Sequence, residues 1–299
     1  MTAAGEPEAT RPPFAVTLLR AMRPHQWAKN LAIFAPLVFS RKLEALLVGV
    51  AAFAAFCLAA SGNYVLNDVV DAEKDRRHPR KRHRPIAAGH ISIPTAIGFA
   101  ALLEAVGLAA AFLIDVQFGA VLAGYLALMA AYSHWLKRLV IVDVFVIAAG
   151  FVIRVMGGAI AIDVEISQWL ILCTIFLSLF LGFCKRRAEV VLLEAGGAHH
   201  RRTLAEYSAP LLDQMIGICG AASATCYALY TLDATTVEKF GTRNLVFTVP
   251  FVVFGLFRYL YLVHQRKEGD SPTTLLFTDK TTWTNILLWF VVVLVIVYG

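Results

Sequence analysis

Charge is what this chain has least of. Only 16% of its 299 residues are Asp, Glu, Lys or Arg, against about 25% in soluble domains. Cysteine is scarce as well. The five present, Cys57, Cys173, Cys184, Cys219 and Cys226, form no C-x-x-C pair and have no histidine at metal spacing. That excludes a disulfide framework and a zinc site of the usual spacing, and the five read as small core residues. No D-x-D-x-D-G series is present, which excludes a calcium loop of that type. The first 22 residues, polar and rich in Pro and Ala, lack the apolar centre of a signal peptide and are expected to form a flexible cytoplasmic tail.

What fills the chain is apolar sequence. Hydrophobic residues make up 59% and the mean hydropathy is +0.67, so the solvent is a lipid bilayer and the fold class is all-α integral membrane. A spanning helix needs about 20 predominantly apolar residues, because each backbone polar group must be satisfied within the segment. Nine spans are predicted. Eight run over 45–66, 91–114, 116–136, 140–162, 166–184, 210–232, 245–263 and 283–298, and the first over 27–39, a shorter apolar run that contains Pro36. Residues 23–299 are thus expected to be a single transmembrane domain.

Most of the 27 Lys and Arg residues fall in loops on one side of this nine-span topology. The excess of Lys and Arg in short loops marks the cytoplasmic side. The N-terminus is therefore expected in the cytoplasm and the C-terminus opposite, in a multi-pass protein of the inner membrane. The net charge of +6 is accounted for by residues that orient spans and meet anionic headgroups. Nucleic-acid binding is not implied.

One loop stands apart. The stretch NDVVDAEKDRRHPRKRHRP, residues 67–85, carries four acids and seven basic residues. If the second span stays helical past Leu66, then Asp68, Asp71 and Asp75 recur at spacings of three and four and share a stripe, with Asn67 beside them. Like charges so arranged repel unless a cation neutralises them. Carboxylates plus an amide suit Mg²⁺, which binds one or two protein carboxylates and completes its shell with water and substrate phosphates. The expected guest is a diphosphate. Arg76, Arg77, Arg80, Lys81, Arg82 and Arg84 follow at once, and fixed cations beside a metal-held diphosphate stabilise charge on it as it leaves. A solvated helix end followed by an orientation signal is the plainer reading of the same run.

Four spans later a second charged segment, CKRRAEVVLLE over 184–194, follows a span of the same direction, which suggests a duplicated four-helix unit. There Lys185 and Glu189 are placed to pair on the surface, and Lys185 and Arg186 to reach a phosphate. Inside the spans, Arg154 lies about three turns beyond Asp143, so the two are expected to face one polar cavity or to pair with each other. Glu104 is a further intramembrane acid. Tyr132 and Lys137 close the fourth span at the charged edge.

With these residues in hand, the chain resembles a known family. NDxxDxxxD, here Asn67, Asp68, Asp71 and Asp75, after the second of nine spans is similar to the UbiA superfamily of intramembrane prenyltransferases, and the likeness covers nearly the whole chain. The resemblance implies a UbiA-like helical bundle with a cytoplasm-facing site, Mg²⁺ as cofactor and an isoprenoid substrate. Where members carry a second Asp-rich motif, this chain has KRRAEVVLLE. Together with RPHQWAKN at 23–30 and KRHRPIAAG at 81–89, this resembles the decaprenyl-phosphate phosphoribosyltransferase branch.

That branch implies transfer of 5-phosphoribose from 5-phosphoribosyl 1-diphosphate to a polyprenyl (decaprenyl) phosphate with release of diphosphate, an early step toward the lipid-linked arabinose donor of cell-wall arabinan. Soluble enzymes of this chemistry often use a small-residue phosphate loop, which is absent here. Under the resemblance Asn67 and Asp71 are the expected Mg²⁺ ligands, and Asp68 and Asp75 orient them or hold a second ion. Asp68, Asp71 and Asp75 are thus the candidate catalytic acids. Tyr64 is placed to touch the ribose. Lys29 and Lys81 are expected on phosphate, with Arg82 and Arg84 behind them; His25 is a candidate for an added polar contact, with facing the lipid headgroups as its plainer reading. Tyr132, Lys137, Arg154, Lys185 and Arg186 are expected to close the pocket around the 5-phosphate and the lipid phosphate. A UbiA-type prenyltransferase with a polyprenyl diphosphate donor and a small acceptor is the main alternative, and a transporter the other. A homo-oligomer is compatible with the sequence.

Overall fold

The computed structural model describes residues 13–40, 42–79, 81–194, 202–265 and 278–298. Within them the secondary structure is helical. The first helix, α1, covers Phe14–Met22. This differs from the tail expected over residues 1–22: Thr17 and Ala21 are buried in its inner face, and Ala21 packs with Val65 and Ile91. The rest of that expected tail, residues 1–12, lies outside the described residues.

A 3-10 helix, Pro24–Phe34, runs into the single turn α2, Ala35–Val38. Then come α3 (Leu46–Val70), α4 (Ala72–Arg76), α5 (Ile93–Ile114), α6 (Val116–His134) and α7 (Val142–Ala161). The second half holds α8 (Gln168–Glu194), α9 (Ala209–Leu232), α10 (Ala234–Phe240), α11 (Val249–Gln265) and α12 (Lys280–Tyr298).

Eight helices among the described residues are long and apolar enough to cross a membrane: α3, α5, α6, α7, α8, α9, α11 and α12, the first and seventh of them with their short 3-10 lead-ins. The chain is a multi-pass membrane protein. Leu47, Leu113 and Val116 stand 70–88% exposed on the outside of the bundle, an arrangement that lipid, not water, rewards. The starts of α5, α6 and α9 are set locally. Ser92, Asp115 and Ser208 each accept a backbone N–H three residues on, as N-caps do.

The ninth predicted span, residues 27–39, is of a different kind. It is the 3-10 helix with α2, and its eleven 3-10 residues at a rise of about 2.0 Å each reach about 22 Å, much further than the same residues in an α-helix. Gly158 of α7 makes room for it: a Cβ there would lie 2.1 Å from the carbonyl oxygen of Ile33. Trp27 Nε1 donates to Ser61 Oγ (3.0 Å) and Asn30 Nδ2 to Cys57 Sγ (3.1 Å), which hold the segment against α3.

One core cluster joins the 3-10 helix, α3, α5 and α6 through Ile33, Phe56, Ala111, Phe118 and Tyr125, and another joins α7, α8, α9 and α11 through Val144, Phe180, Leu212 and Leu262. At about 25 cal/mol per Å² such burial is the main term holding helices together in water. In lipid it is close packing that holds them, as at Gly107, where a Cβ would meet Ala55 O at 2.8 Å. All five cysteines are free and buried or half-buried.

Contacts between Lys137 and Asp71, Ile141 and Tyr207, and Arg186 and Asp143 bring the segment after α3, the α6–α7 connection, the end of α8 and Tyr207 together at one end of the bundle. At the other end a cavity of about 500 Å³ is lined by Phe39, Glu165, Trp169, Tyr230 and Lys239 and contains none of those groups.

Candidate active site

The stripe of acids expected after the second span is divided by its partners. Helix α3 ends at Val70, Asp71 interrupts it, and α4 resumes one residue later. Asp68 and Asp75, both buried, turn to one side. Asp68 accepts hydrogen bonds from Arg23 and from Arg84 NH1, the latter at 3.0 Å, and the same Arg84 nitrogen reaches Asp75 Oδ2 at 2.5 Å. Arg84 does not stand behind a phosphate contact; it ties two carboxylates together.

Asn67 and Asp71, four residues apart, face the end of α6. Asn67 Oδ1 accepts from the hydroxyl of Ser133, and Asp71 Oδ1 lies 3.4 Å from Lys137 Nζ. Asp71 keeps 36% of its side chain exposed, against 3–4% for Asp68 and Asp75. Of the three aspartates on the stripe, that leaves Asp71 with room for a further partner, while Glu73 is exposed to solvent off the stripe.

No group of three or more His, Cys, Asp or Glu poised for a metal ion occurs among the described residues. The donor set still suits Mg²⁺. One carboxylate and one amide oxygen, both hard, on one helical face are what an ion uses when water and phosphate complete its shell. Asp68 and Asp75 are already neutralised by arginine, so a second ion would have to displace guanidinium groups from buried carboxylates.

The cations divide in the same way. Lys29, half-buried on the 3-10 helix, has Lys185, Arg154 and Arg23 as its charged neighbours, and among the described residues it makes no ion pair. Burial, and then the fields of Arg23 and Lys29, pull the His25 imidazole below its ordinary pKa. Lys29 adds a positive charge with no carboxylate of its own to this cluster, which makes it a place for an anion. Tyr64, on the α3 face near Arg23, lies under that guanidinium at 5.6 Å.

Arg186, by contrast, is buried and committed. Its Nε donates to Asp143 Oδ2 (2.7 Å) and NH1 to Glu189 Oε2 (2.5 Å), while the exposed Lys185 keeps the expected pair with Glu189 at 3.8 Å. Tyr132 sits close enough to act on Arg186 electrostatically. Lys81 and Arg82 are exposed on a short 3-10 turn, and Arg80 lies outside the described residues.

Arg154 does not pair with Asp143. Its guanidinium stacks over Tyr125, Phe56 and Phe151 at 4.7–5.4 Å and donates to Asn30 Oδ1, Gly150 O and Tyr125 Oη at 2.7–2.9 Å. With one partner at each of its three nitrogens, this group fastens the 3-10 helix to α6 and α7. Sequence reasoning missed Asn30, Ser133 and Tyr207 as partners, since a lone polar residue at a span edge carries no spacing signal. Arg23 was legible only as part of the RPHQWAKN run.

The UbiA prenyltransferase family model matches residues 31–286. A decaprenyl-phosphate phosphoribosyltransferase of Corynebacterium glutamicum is 34% identical over 292 residues, covering 94% of this chain and 86% of that protein. One of Mycobacterium tuberculosis H37Rv is 33% identical over 297 residues, covering 96% and 97%. Among solved structures, a UbiA homolog from Archaeoglobus fulgidus bound to GPP and Mg²⁺ has the same fold, with a TM-score of 0.71 at 18% identity, covering 95% of this chain and 100% of that one. A nearly full-length family match, relatives above 30% identity and a shared helical bundle agree: the chain belongs to the UbiA prenyltransferase family.

Proposed function

We propose that this protein transfers 5-phosphoribose from 5-phosphoribosyl 1-diphosphate to a polyprenyl phosphate, releasing diphosphate at the cytoplasmic face of the inner membrane. The observation that carries this reading is that, of Asp68, Asp71, Asp75 and Glu189, the acid left half-open on the membrane-edge stripe is Asp71, beside Asn67. Asp71 with Asn67 can take an ion, while Asp68, Asp75 and Glu189 are each held by arginine or lysine. One metal-bound diphosphate flanked by cations fits that face better than a diphosphate slung between two acidic motifs. The curated relatives named as decaprenyl-phosphate phosphoribosyltransferases support it.

The chemistry follows from charge. The bond from ribose C1 to the diphosphate oxygen breaks, and a bond from C1 to the lipid phosphate oxygen forms on the opposite face, inverting C1. Mg²⁺, held by Asn67 and Asp71, would supply charge neutralisation on the leaving diphosphate. Lys29, Lys81 and Lys137 place fixed cations for the remaining negative charge and for the 5-phosphate. The acceptor needs no strong base. A phosphate monoester has its second pKa near about 6 and is largely dianionic at neutral pH, so positioning matters more than activation.

Purified protein in lipid nanodiscs with Mg²⁺ should release diphosphate from phosphoribosyl diphosphate only when polyprenyl monophosphate is present, and the product should have inverted configuration at C1. Release from a polyprenyl diphosphate in its place would overturn the assignment in favour of prenyl transfer.

A further inference from the structure

Ile141, between α6 and α7, adopts φ 68° and ψ −49°, with the Val142 N–H donating to Val140 O at 2.8 Å. This is a γ-turn of the strained kind, and a β-branched residue in that region is an outlier. Glycine would adopt the same turn without a steric penalty. Such strain persists only where the surroundings over-determine it, and here the surroundings are specific.

The Tyr207 hydroxyl accepts the Ile141 N–H at 2.6 Å and donates to Asp143 Oδ1 at 3.1 Å. Burial pushes the phenol up to about 12, so it keeps its proton at any physiological pH. The second oxygen of Asp143 is held by Arg186, itself held by Glu189. One hydroxyl thus ties three elements: the connection carrying Lys137, the start of α7 and the end of α8 with Lys185.

We infer that Tyr207 is a positioning residue, a clamp that bends the 139–142 turn so that Lys137 stands beside Asp71 on one side of the donor site while Lys185 is held on the other. The inference rests on the reading of the Asn67–Asp71 face as the site of a metal-bound diphosphate. Tyr207 itself touches no reacting atom in this scheme. Its effect passes through Ile141 and Asp143.

The test uses Tyr207→Phe, which keeps the ring and removes the hydroxyl, in the full-length protein in nanodiscs. Backbone hydrogen exchange over residues 136–142 should quicken at least about tenfold while α3, α5 and α9 exchange as in the wild type. The KM for phosphoribosyl diphosphate should rise about tenfold with kcat within about twofold. Exchange unchanged over 136–142, or raised throughout the bundle, overturns the clamp, as does an unchanged KM in an active enzyme.

Ile141→Gly supplies the second arm. Relief of strain should leave Tm equal or higher, yet the looser turn should raise the donor KM; a wild-type KM would overturn the inference. Should the wild type itself transfer no phosphoribose, the proposed function fails separately. The clamp is then judged by exchange and by affinity for Mg²⁺ with inorganic diphosphate, which must weaken in Tyr207→Phe.

Discussion

Lys137 Nζ lies 3.4 Å from Asp71 Oδ1 across 66 residues of chain, joining the loop after α3 to the loop after α6 at the one aspartate of the stripe left half-open. The distance is long for a tight ion pair, and the pair is partly exposed, so it adds little to stability. Its value is in placing a carboxylate and a cation on the same guest.

Asp71→Asn should therefore lower Mg²⁺-dependent turnover by about two orders of magnitude or more, in the range seen when a metal site or its supporting shell is disturbed. Circular dichroism and Tm should stay within the wild-type range. Substantial activity in this variant would remove Asp71 from the metal site.

Arg84 holds two buried carboxylates, which makes it structurally different from the neighbouring Lys81 and Arg82. Breaking a buried pair by deleting one partner costs about 3–5 kcal/mol; Arg84 is partly exposed and Asp68 keeps Arg23, so the lower end applies. Arg84→Ala should lower Tm by several degrees, while Arg82→Ala should leave Tm unchanged and weaken donor binding. Equal Tm losses for the two would contradict the division of labour between them.

The stacked and hydrogen-bonded guanidinium of Arg154 gives a prediction about residue type. A lysine keeps the charge but loses the planar fork and the stacking on three aromatic rings. Arg154→Lys should destabilise by about 2–4 kcal/mol, close to Arg154→Ala, as read by thermal unfolding in detergent. Full stability of the lysine variant would show that charge alone holds the 3-10 helix.

Outside the site, Arg258 donates to both oxygens of Asp279 at 2.7–3.0 Å and holds its carboxyl well below the usual range, with Thr282 adding to the effect. A depressed folded-state pKa contributes stability above the unfolded value of about 3.9 that is lost as pH falls toward the folded one. The stability gap between wild type and Asp279→Asn should be full near pH 7 and shrink below about pH 4. A gap constant with pH would mean the pair contributes no charge-linked stability.

Much of this was legible in sequence because lipid imposes a simple rule: long apolar runs are helices, and eight of the nine predicted spans are. Residue arithmetic also placed Asp68, Asp71 and Asp75 on one stripe with Asn67 beside them, and the family resemblance singled out Asn67 with Asp71. Neither could say which of them would meet arginine, since Arg23 arrives from another element and Arg84 folds back from the far end of the same loop. The 3-10 form of Pro24–Phe34 was hidden by its composition. Read with an α period, Asn30 lands on the wrong face, and its bond to Arg154 is lost from view. The network of Tyr207, Asp143 and Arg186 spans three elements with no periodicity to announce it.

The same geometry predicts how metal and ligand act on stability. Asp71 already has Lys137 beside it, and Asp68 and Asp75 already have arginines, so no cluster of bare acids waits for an ion to relieve its repulsion. Chelation of divalent ions should leave the fold and Tm unchanged, and Mg²⁺ alone should raise Tm little. Diphosphate alone should do as little, because the open face offers it cations but also the negative charge of Asp71. Mg²⁺ and diphosphate together should stabilise by about 2.7 kcal/mol at a hundredfold excess over Kd, seen as a cooperative rise in Tm that Asp71→Asn abolishes. If Mg²⁺ alone gives the full rise, the ion is bound by a preformed set of protein ligands, and the division of the acids into a neutralised pair and an open one is wrong.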